Sequence, residues 1–340
     1  MNLKQLSDLL GLSQTTVSRA LNGYPEVSEA TRQKVQKAAH EHGYHPSTRA
    51  KGLATGQALA IGHVIPMYGK SEMVNPIFGD FIAGAGEIYS QNGYEMLLSV
   101  ARDQTEEAIY RGLKARHSVD GVIVHGPQMD DPRIPLLQEI GLPFVVHGRA
   151  SNVTSDYAWL DVNNKRAFER ATALLCDLGH RRIALLNGFE HMDFAHRRRD
   201  GYVTALAERG LSVDPALMRS DEMTEDMGYA AAQQMLALGT PPTAFLTALM
   251  ITAMGVRRAI EEAGLKMGRD VSIVTHDDAL SYLQNGGDVP IYTATRSSVR
   301  HAGKQLAQML IDQIRDPDAR PEHCLLEAEL VMGQSTGPAT

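Results

Sequence analysis

Gln14, Thr15, Thr16, Ser18, Arg19 and Asn22 fall within a nine-residue window and carry amide, hydroxyl and guanidinium groups. Such groups can read base edges and grip phosphates. At about 100° of turn per helical residue, Gln14, Ser18, Asn22, Thr15 and Arg19 share an arc of about 140°. Val17, Ala20 and Leu21 gather on the opposite side. Arg19 has the fork that matches guanine O6 and N7, and Gln14 the amide that matches adenine N6 and N7. Thr15 offers a hydroxyl and a methyl. Thr16 and Ser18 suit phosphate oxygens.

A second group of polar and aromatic side chains follows buried-type runs further along. It comprises Asn75 and Phe78, Arg102 and Asp103, His125, His147 and Arg149, and Asp277 and Asp278. Arg198 follows the run RRIALLNG. Carboxylates and guanidinium groups around an aromatic wall suit a sugar, whose edges take hydrogen bonds while a ring face stacks.

These residues need elements to position them. The first group needs a helix packed through Val17, Ala20 and Leu21. Leu3, Leu6, Leu9 and Leu10 supply a second apolar stripe, Gly11 the turn and Ser13 a cap. A third helix, from Ser28 to a stop at Gly43, completes a helix-turn-helix arrangement. After Pro46, the segment 47–54 is too short to be a stable helix alone and contains Gly52. It is expected to order only against a partner. From Leu59 onward, apolar runs such as DGVIVHG, RRIALLNG and VSIVTHD alternate with amphipathic stretches at 105–117, 164–178 and 224–238. That alternation predicts parallel sheets covered on both faces, with ligands beyond the carboxyl ends of the strands. The number of strands predicts two lobes.

Charge divides the chain the same way. Residues 1–57 hold seven Lys/Arg and four Asp/Glu, a surplus of +3, whereas the remainder carries −10. A basic head on an acidic body points to a head that meets a polyanion.

The segments LKQLSDLLGLSQTTVSRALNG and VSEATRQKVQKAAHEHGYHPSTRAKGLATG resemble the head of LacI/GalR-family bacterial transcription repressors. NPIFGDFIAGAGEIYSQNGYEMLL, LGHRRIALLNG, RRRDGYVTALAERGL and VSIVTHDD extend the resemblance through the body. It implies an α/β fold with a two-lobed, periplasmic-binding-protein-like effector domain behind an all-α helix-turn-helix domain. The expected boundaries are 1–45 for the head, 46–57 for a hinge helix and 58–340 for the effector and dimerisation domain. Lobe one is expected at about 58–158 plus 290–320, and lobe two at about 159–289 plus 321–335.

The resemblance implies base contacts by Gln14, Thr15 and Arg19. It also implies a minor-groove wedge at Leu53, with Ala50 and Lys51 matching the family's Ala-Arg pair. An inserted apolar side chain unstacks and kinks DNA. Effector contacts are expected from Phe78, Asp103, Arg149, Arg198 and Asp277. Several positions depart from the family pattern. Ser7 replaces a usual alanine, Lys51 an arginine and Gly52 a serine. Asn163-Asn164 stands for Asp-Asn, and Leu249-Met250 for Asn-Asp. The last two suggest a pocket poorer in carboxylates and enriched by a thioether.

The implied partners are palindromic double-stranded operator DNA, a small carbohydrate effector of the alpha-glucoside type, and a second copy in a homodimer or higher oligomer. A non-sugar ligand, or a required corepressor, is the alternative. Enzyme motifs are missing: AGAGEIY breaks off the dinucleotide pattern, and HMDFAH has the wrong spacing for a zinc protease. No cofactor or metal is expected. Cys176 and Cys324 are expected as reduced thiols of a cytoplasmic protein without a membrane span or secretory signal.

Replacing Arg19 by alanine is expected to cost about 1–3 kcal/mol of operator affinity and relax specificity at one base pair. A gel-shift titration over single-base operator variants reads both effects.

Overall fold

The computed structural model describes residues 1–21, 23–44, 56–66, 75–101 and 105–339. Asn22, Ala50, Lys51, Leu53, Arg102 and Asp103 lie outside the described residues, as does most of the expected hinge at 46–57. The chain divides into two units, Met1–Leu59 and Ala60–Thr340.

End groups set the helices of the first unit. In α1 (Leu3–Leu10), the Asn2 side chain accepts from the Gln5 amide at 2.9 Å, and the Gln5 side chain accepts from the Asn2 amide at 3.0 Å. This reciprocal cap satisfies two donors that the helix cannot. Gly11 ends the helix in the left-handed conformation, φ 63°, where a β-carbon is disfavoured. α2 (Gln14–Leu21) starts from Ser13, whose Oγ accepts from the Thr16 amide at 3.1 Å. α3 (Glu29–Glu41) starts from Ser28, which accepts from the Thr31 amide. Leu6, Val17, Ala20, Val27 and Val35 form the common core. Ser7 is buried in it, yet its hydroxyl donates to the Lys4 carbonyl at 2.8 Å, so the serine leaves no donor stranded.

The second unit has two six-stranded sheets. The first contains β1 (Ala60–Pro66), β2 (Glu95–Ala101), β3 (Gly121–His125), β4 (Phe144–His147), β5 (Trp159–Val162) and β11 (His323–Leu326). Its order is β11-β5-β4-β3-β1-β2, parallel throughout. The second contains β6 (Ile183–Asn187), β7 (Met218–Ser220), β8 (Ala244–Thr247), β9 (Ser272–Asp277), β10 (Thr293–Arg296) and β12 (Glu329–Val331). Its order is β12-β10-β9-β8-β6-β7, with β12 alone antiparallel. Every residue of β6, β8 and β9 is buried, as strands covered on both faces require.

Three expected lobe borders are corrected by this topology. Residues 159–162, assigned to lobe two, are β5 of the first sheet. β10 and β11 change places likewise: β10 belongs to the second sheet and β11 to the first. These strands have four residues each, too few to show in their own pattern which sheet they join. Long-range pairing decides it. The chain therefore crosses between sheets three times, after β5, β10 and β11.

The covering helices are α4 (Pro76–Asn92), α5 (Glu106–Ala115), α6 (Arg133–Glu139), α7 (Asn164–Asp177), α8 (Asp193–Glu208), α9 (Glu225–Leu236), α10 (Met250–Glu262) and α11 (Val299–Arg315). α11 returns to the first sheet and packs on α4. Two helix pairs cross at reciprocal glycines, Gly84 with Gly303 and Gly228 with Gly255. A β-carbon on Gly255 would lie 2.0 Å from the Glu225 carbonyl oxygen. No helix among the described residues is long and apolar enough to cross a membrane.

Gly255→Ala is expected to destabilise the second unit by about 1–3 kcal/mol through overpacking. Gly79→Ala, where no atom lies within 4 Å of the new carbon, should be neutral or stabilising by about 0.5–1 kcal/mol. Urea denaturation of the two variants makes the comparison.

Candidate functional site

In the first unit, α2 is buried through Val17 and Ala20, which turns Gln14, Thr15 and Arg19 to solvent. Thr16 and Ser18 are half-buried on the flank. The Thr16 hydroxyl lies 2.8 Å from Ser13 Oγ, so it shares in the cap as well as facing outward. The described polar face therefore carries three exposed side chains suited to base edges and two suited to the backbone.

In the second unit, a cavity of about 310 Å³ lies where strand ends of both sheets meet. The first sheet contributes His125, His147 and Asp161 from the ends of β3, β4 and β5, and α4 contributes Phe78 and Phe81. The second contributes Ala248 just after β8, His276 within β9 and Asp278 just after it, and α8 contributes Phe194 and Arg198. Asn75 also lines the cavity, but its side chain caps α4 by accepting from the Ile77 amide at 3.0 Å.

Arg198 is the polar centre. Its Nε donates to Asn164 Oδ1 at 2.8 Å and one Nη to the Ala248 carbonyl at 2.7 Å. Its guanidinium lies over Phe168 and Phe194, 5.0 and 5.1 Å from the ring centroids. Asn164 in turn donates to Asp161, which accepts from Arg149 at 2.8 Å. A hydrogen-bonded chain thus runs from the end of β4 across the first crossover to the centre of the second lobe. Beside the cavity, further bonds join the lobes. The Ser281 amide donates to Asp80 at 2.6 Å, and Arg197 donates to Ser151 at 2.8 Å.

Of the five expected effector residues, Phe78 and Arg198 line the cavity, and Asp103 lies outside the described residues. Arg149 does not line it. It stands behind Asp161 with its guanidinium 4.9 Å from the Trp159 ring centroid. Asp277 does not line it either. Successive strand residues face opposite sides, so His276 and Asp278 reach the cavity while Asp277 turns away. Asp277 accepts from the Ala279 amide at 2.8 Å.

The expected thioether is also elsewhere. Leu249 and Met250 are buried off the cavity, Met250 in the core with Ala184, Val256 and Ile273. The cavity's thioethers are those of Met192 and Met223, and its carboxylates those of Asp161 and Asp278. The sequence reading leaves out Asp161 and His276 as site residues and names Asn164 only as a departure from the family pattern. The strand-end rule applied to WLDV and SIVTHD is the signal that finds them.

Burial governs the electrostatics. It lowers Arg198 to about 10, against the pull of Asp278 and Asp161, leaving a cation at neutral pH. Burial pushes Asp278 up to about 6, opposed by Arg198 and reinforced by Asp277. Burial holds His147 down at about 4, and His125 and His276 well below the usual imidazole range. The three cavity imidazoles are therefore neutral, each with one donor and one acceptor nitrogen. The site can hold hydroxyl groups and cannot, as built, offer a charged imidazole.

The Asp278 shift carries a pH signature. Its folded value lies above its unfolded one, so stability is full at low pH and falls as pH rises through 6, by about 3 kcal/mol in total. Asp278→Asn is expected to raise the melting temperature at pH 7 and to flatten the pH 4–7 profile relative to the wild type. Melting curves across that range test the sign.

Residues 2–47 match the family model "Bacterial regulatory proteins, lacI family", and residues 172–336 match "Periplasmic binding protein-like domain". The chain is 46% identical to the HTH-type transcriptional regulator AglR of Rhizobium meliloti (strain 1021) over 340 residues, covering 100% of this chain and 95% of that one. Among solved structures, it resembles the operator- and ONPF-bound Lac repressor dimer with a TM-score of 0.84 and 25% identity, covering 99% of both chains. It resembles the complex of the transcriptional regulator CelR with cellobiose with a TM-score of 0.73 and 28% identity, covering 98% of this chain and 99% of that one. With a helix-turn-helix head whose polar face is turned outward and a two-sheet body closed around a buried arginine, the chain belongs to the lacI family of bacterial transcriptional regulators.

Proposed function

We propose that this regulator represses a carbohydrate uptake or catabolism operon in the cytoplasm, and that an alpha-glucoside in the cavity controls its grip on operator DNA. The observation that carries the reading is Arg198, a buried cation at the meeting of two sets of strand ends, flanked by neutral imidazoles and two carboxylates. Cations and carboxylates bracket hydroxyl groups well, and Phe78, Phe81 and Phe194 offer apolar faces for a sugar ring. A cavity of about 310 Å³ suits a compact ligand. The cellobiose held by CelR supports a sugar in this class of cavity.

On the DNA side, Gln14, Thr15 and Arg19 read bases, and Thr16 and Ser18 hold phosphates. Asn22 shares in the DNA contacts, while Ala50, Lys51 and Leu53 form the minor-groove hinge. The regulator acts as a homodimer, so that two heads meet a palindrome. The dimeric state of the operator-bound Lac repressor supports this. So do apolar side chains left to solvent on the second unit: Leu98 and Val100 on the edge strand β2, and Tyr282 and Val289 in the loop before β10.

A thermal-shift screen of maltose, trehalose, sucrose, cellobiose, glucose and galactose tests the effector class. At a hundredfold excess over Kd, a bound sugar stabilises by about 2.7 kcal/mol, which is several degrees. An alpha-glucoside is expected to give that shift, and Arg198→Ala to abolish it. No shift from any sugar, or an unchanged shift in Arg198→Ala, would sink the assignment.

A further inference from the structure

Behind the cavity, three side chains form a line that the effector contacts alone do not use. Tyr89, on α4, places its hydroxyl 3.0 Å from His63 Nε2. His63, on β1, places its Nδ1 2.9 Å from His125 Nε2. His125 ends β3 and lines the cavity. Tyr89 and His63 are fully buried, and no other partner for the Tyr89 hydroxyl or for His125 Nδ1 occurs among the described residues. Burial lowers His63 to about 3 and raises Tyr89, so neither changes charge near neutral pH.

Two proton arrangements fit these distances. In one, the Tyr89 O–H donates to His63 Nε2, His63 Nδ1–H donates to His125 Nε2, and His125 carries its own proton on Nδ1. In the other, every bond reverses, and the Tyr89 proton is left buried without an acceptor. A stranded buried donor costs the full desolvation of that group, whereas an oxygen lone pair left idle costs much less. The first arrangement leaves one donor over, His125 Nδ1–H, on the residue that borders the cavity, where a ligand can accept from it.

We propose that Tyr89 and His63 are positioning residues that lock His125 in the Nδ1–H tautomer, so that the cavity selects an effector presenting an acceptor oxygen at that point. A glycosidic or ring oxygen of a sugar, which accepts and cannot donate, is the matching chemistry. The selection step rests on the sugar reading above, whereas the tautomer does not. The relay sets the specificity of one contact through two residues that never touch the ligand. Tyr89→Phe keeps the packed ring and removes only the proton that biases the relay.

The test is long-range ¹H–¹⁵N correlation of the histidine side chains in the full-length, sugar-free protein, with His125 assigned by its loss in His125→Gln. The expected spectrum shows His125 protonated on Nδ1 and bare on Nε2. In Tyr89→Phe, the two His125 nitrogens should move toward averaged shifts. A wild-type His125 protonated on Nε2, or a Tyr89→Phe spectrum with the wild-type His125 pattern, would overturn the relay. With whichever sugar of the screen raises the melting point, Tyr89→Phe should weaken binding by roughly three- to tenfold, the scale of one hydrogen bond. Unweakened binding would overturn the selection step. Failure of every sugar to bind would overturn that step together with the effector reading and leave the tautomer result standing.

Discussion

Burying the Arg198 guanidinium is the constraint around which the second unit is arranged. An uncompensated charge in a low-dielectric interior costs several kcal/mol even after relaxation. Here the compensation comes from Asn164, the Ala248 carbonyl, two aromatic rings and two nearby carboxylates. Those partners come from both sides of the first crossover. Asp161 lies one residue before the end of a strand of the first sheet, and Asn164 opens a helix over the second. Whatever enters the cavity and alters the surroundings of Arg198 therefore acts on the joint between the lobes. Asp278, held up at about 6 in the same space, shows how far the carboxylates are from their relaxed state.

The remaining features follow from this arrangement. Parallel strands bring their carboxyl ends to one side, which is why β1, β3, β4, β5 and β9 all supply cavity residues. Glycine crossings let the helix pairs of each lobe pack closely, and the three crossovers link the lobes. Neutral histidines fill the first lobe's side of the cavity with hydrogen-bonding edges that carry no charge to repel Arg198. α2 is a rigid reader fixed by Ser13 and by Val17 and Ala20. Control of such a reader must come from elsewhere in the chain.

The local features were legible in the sequence because their causes are local. Gly11 and Ser13 have one physical use each, at a turn and at a cap. The split of Gln14, Thr15 and Arg19 from Val17 and Ala20 needs only helical periodicity. Arg198 and Phe78 were reachable by the strand-end rule. The sequence reading points to Asp277 rather than Asp278 because the two are adjacent, and only the exact strand end tells which one faces the cavity. Arg149 was misread because an ion pair to Asp161 holds it behind the wall. The lobe borders failed at β5, β10 and β11, whose few residues record nothing about their partners. His63 went unnoticed because a histidine inside an apolar run has no meaning until Tyr89 and His125 are seen beside it.

Coupling between cavity and operator is the centre of the proposed function, and operator affinity of the full-length protein measures it directly. Fluorescence anisotropy with labelled operator, titrated with the stabilising sugar, gives Kd with the cavity empty and with it filled. A change of about five- to 150-fold, the usual range of allosteric coupling, is expected in the wild type and none in Arg198→Ala. An operator Kd that stays constant while the sugar saturates the cavity would contradict the coupling.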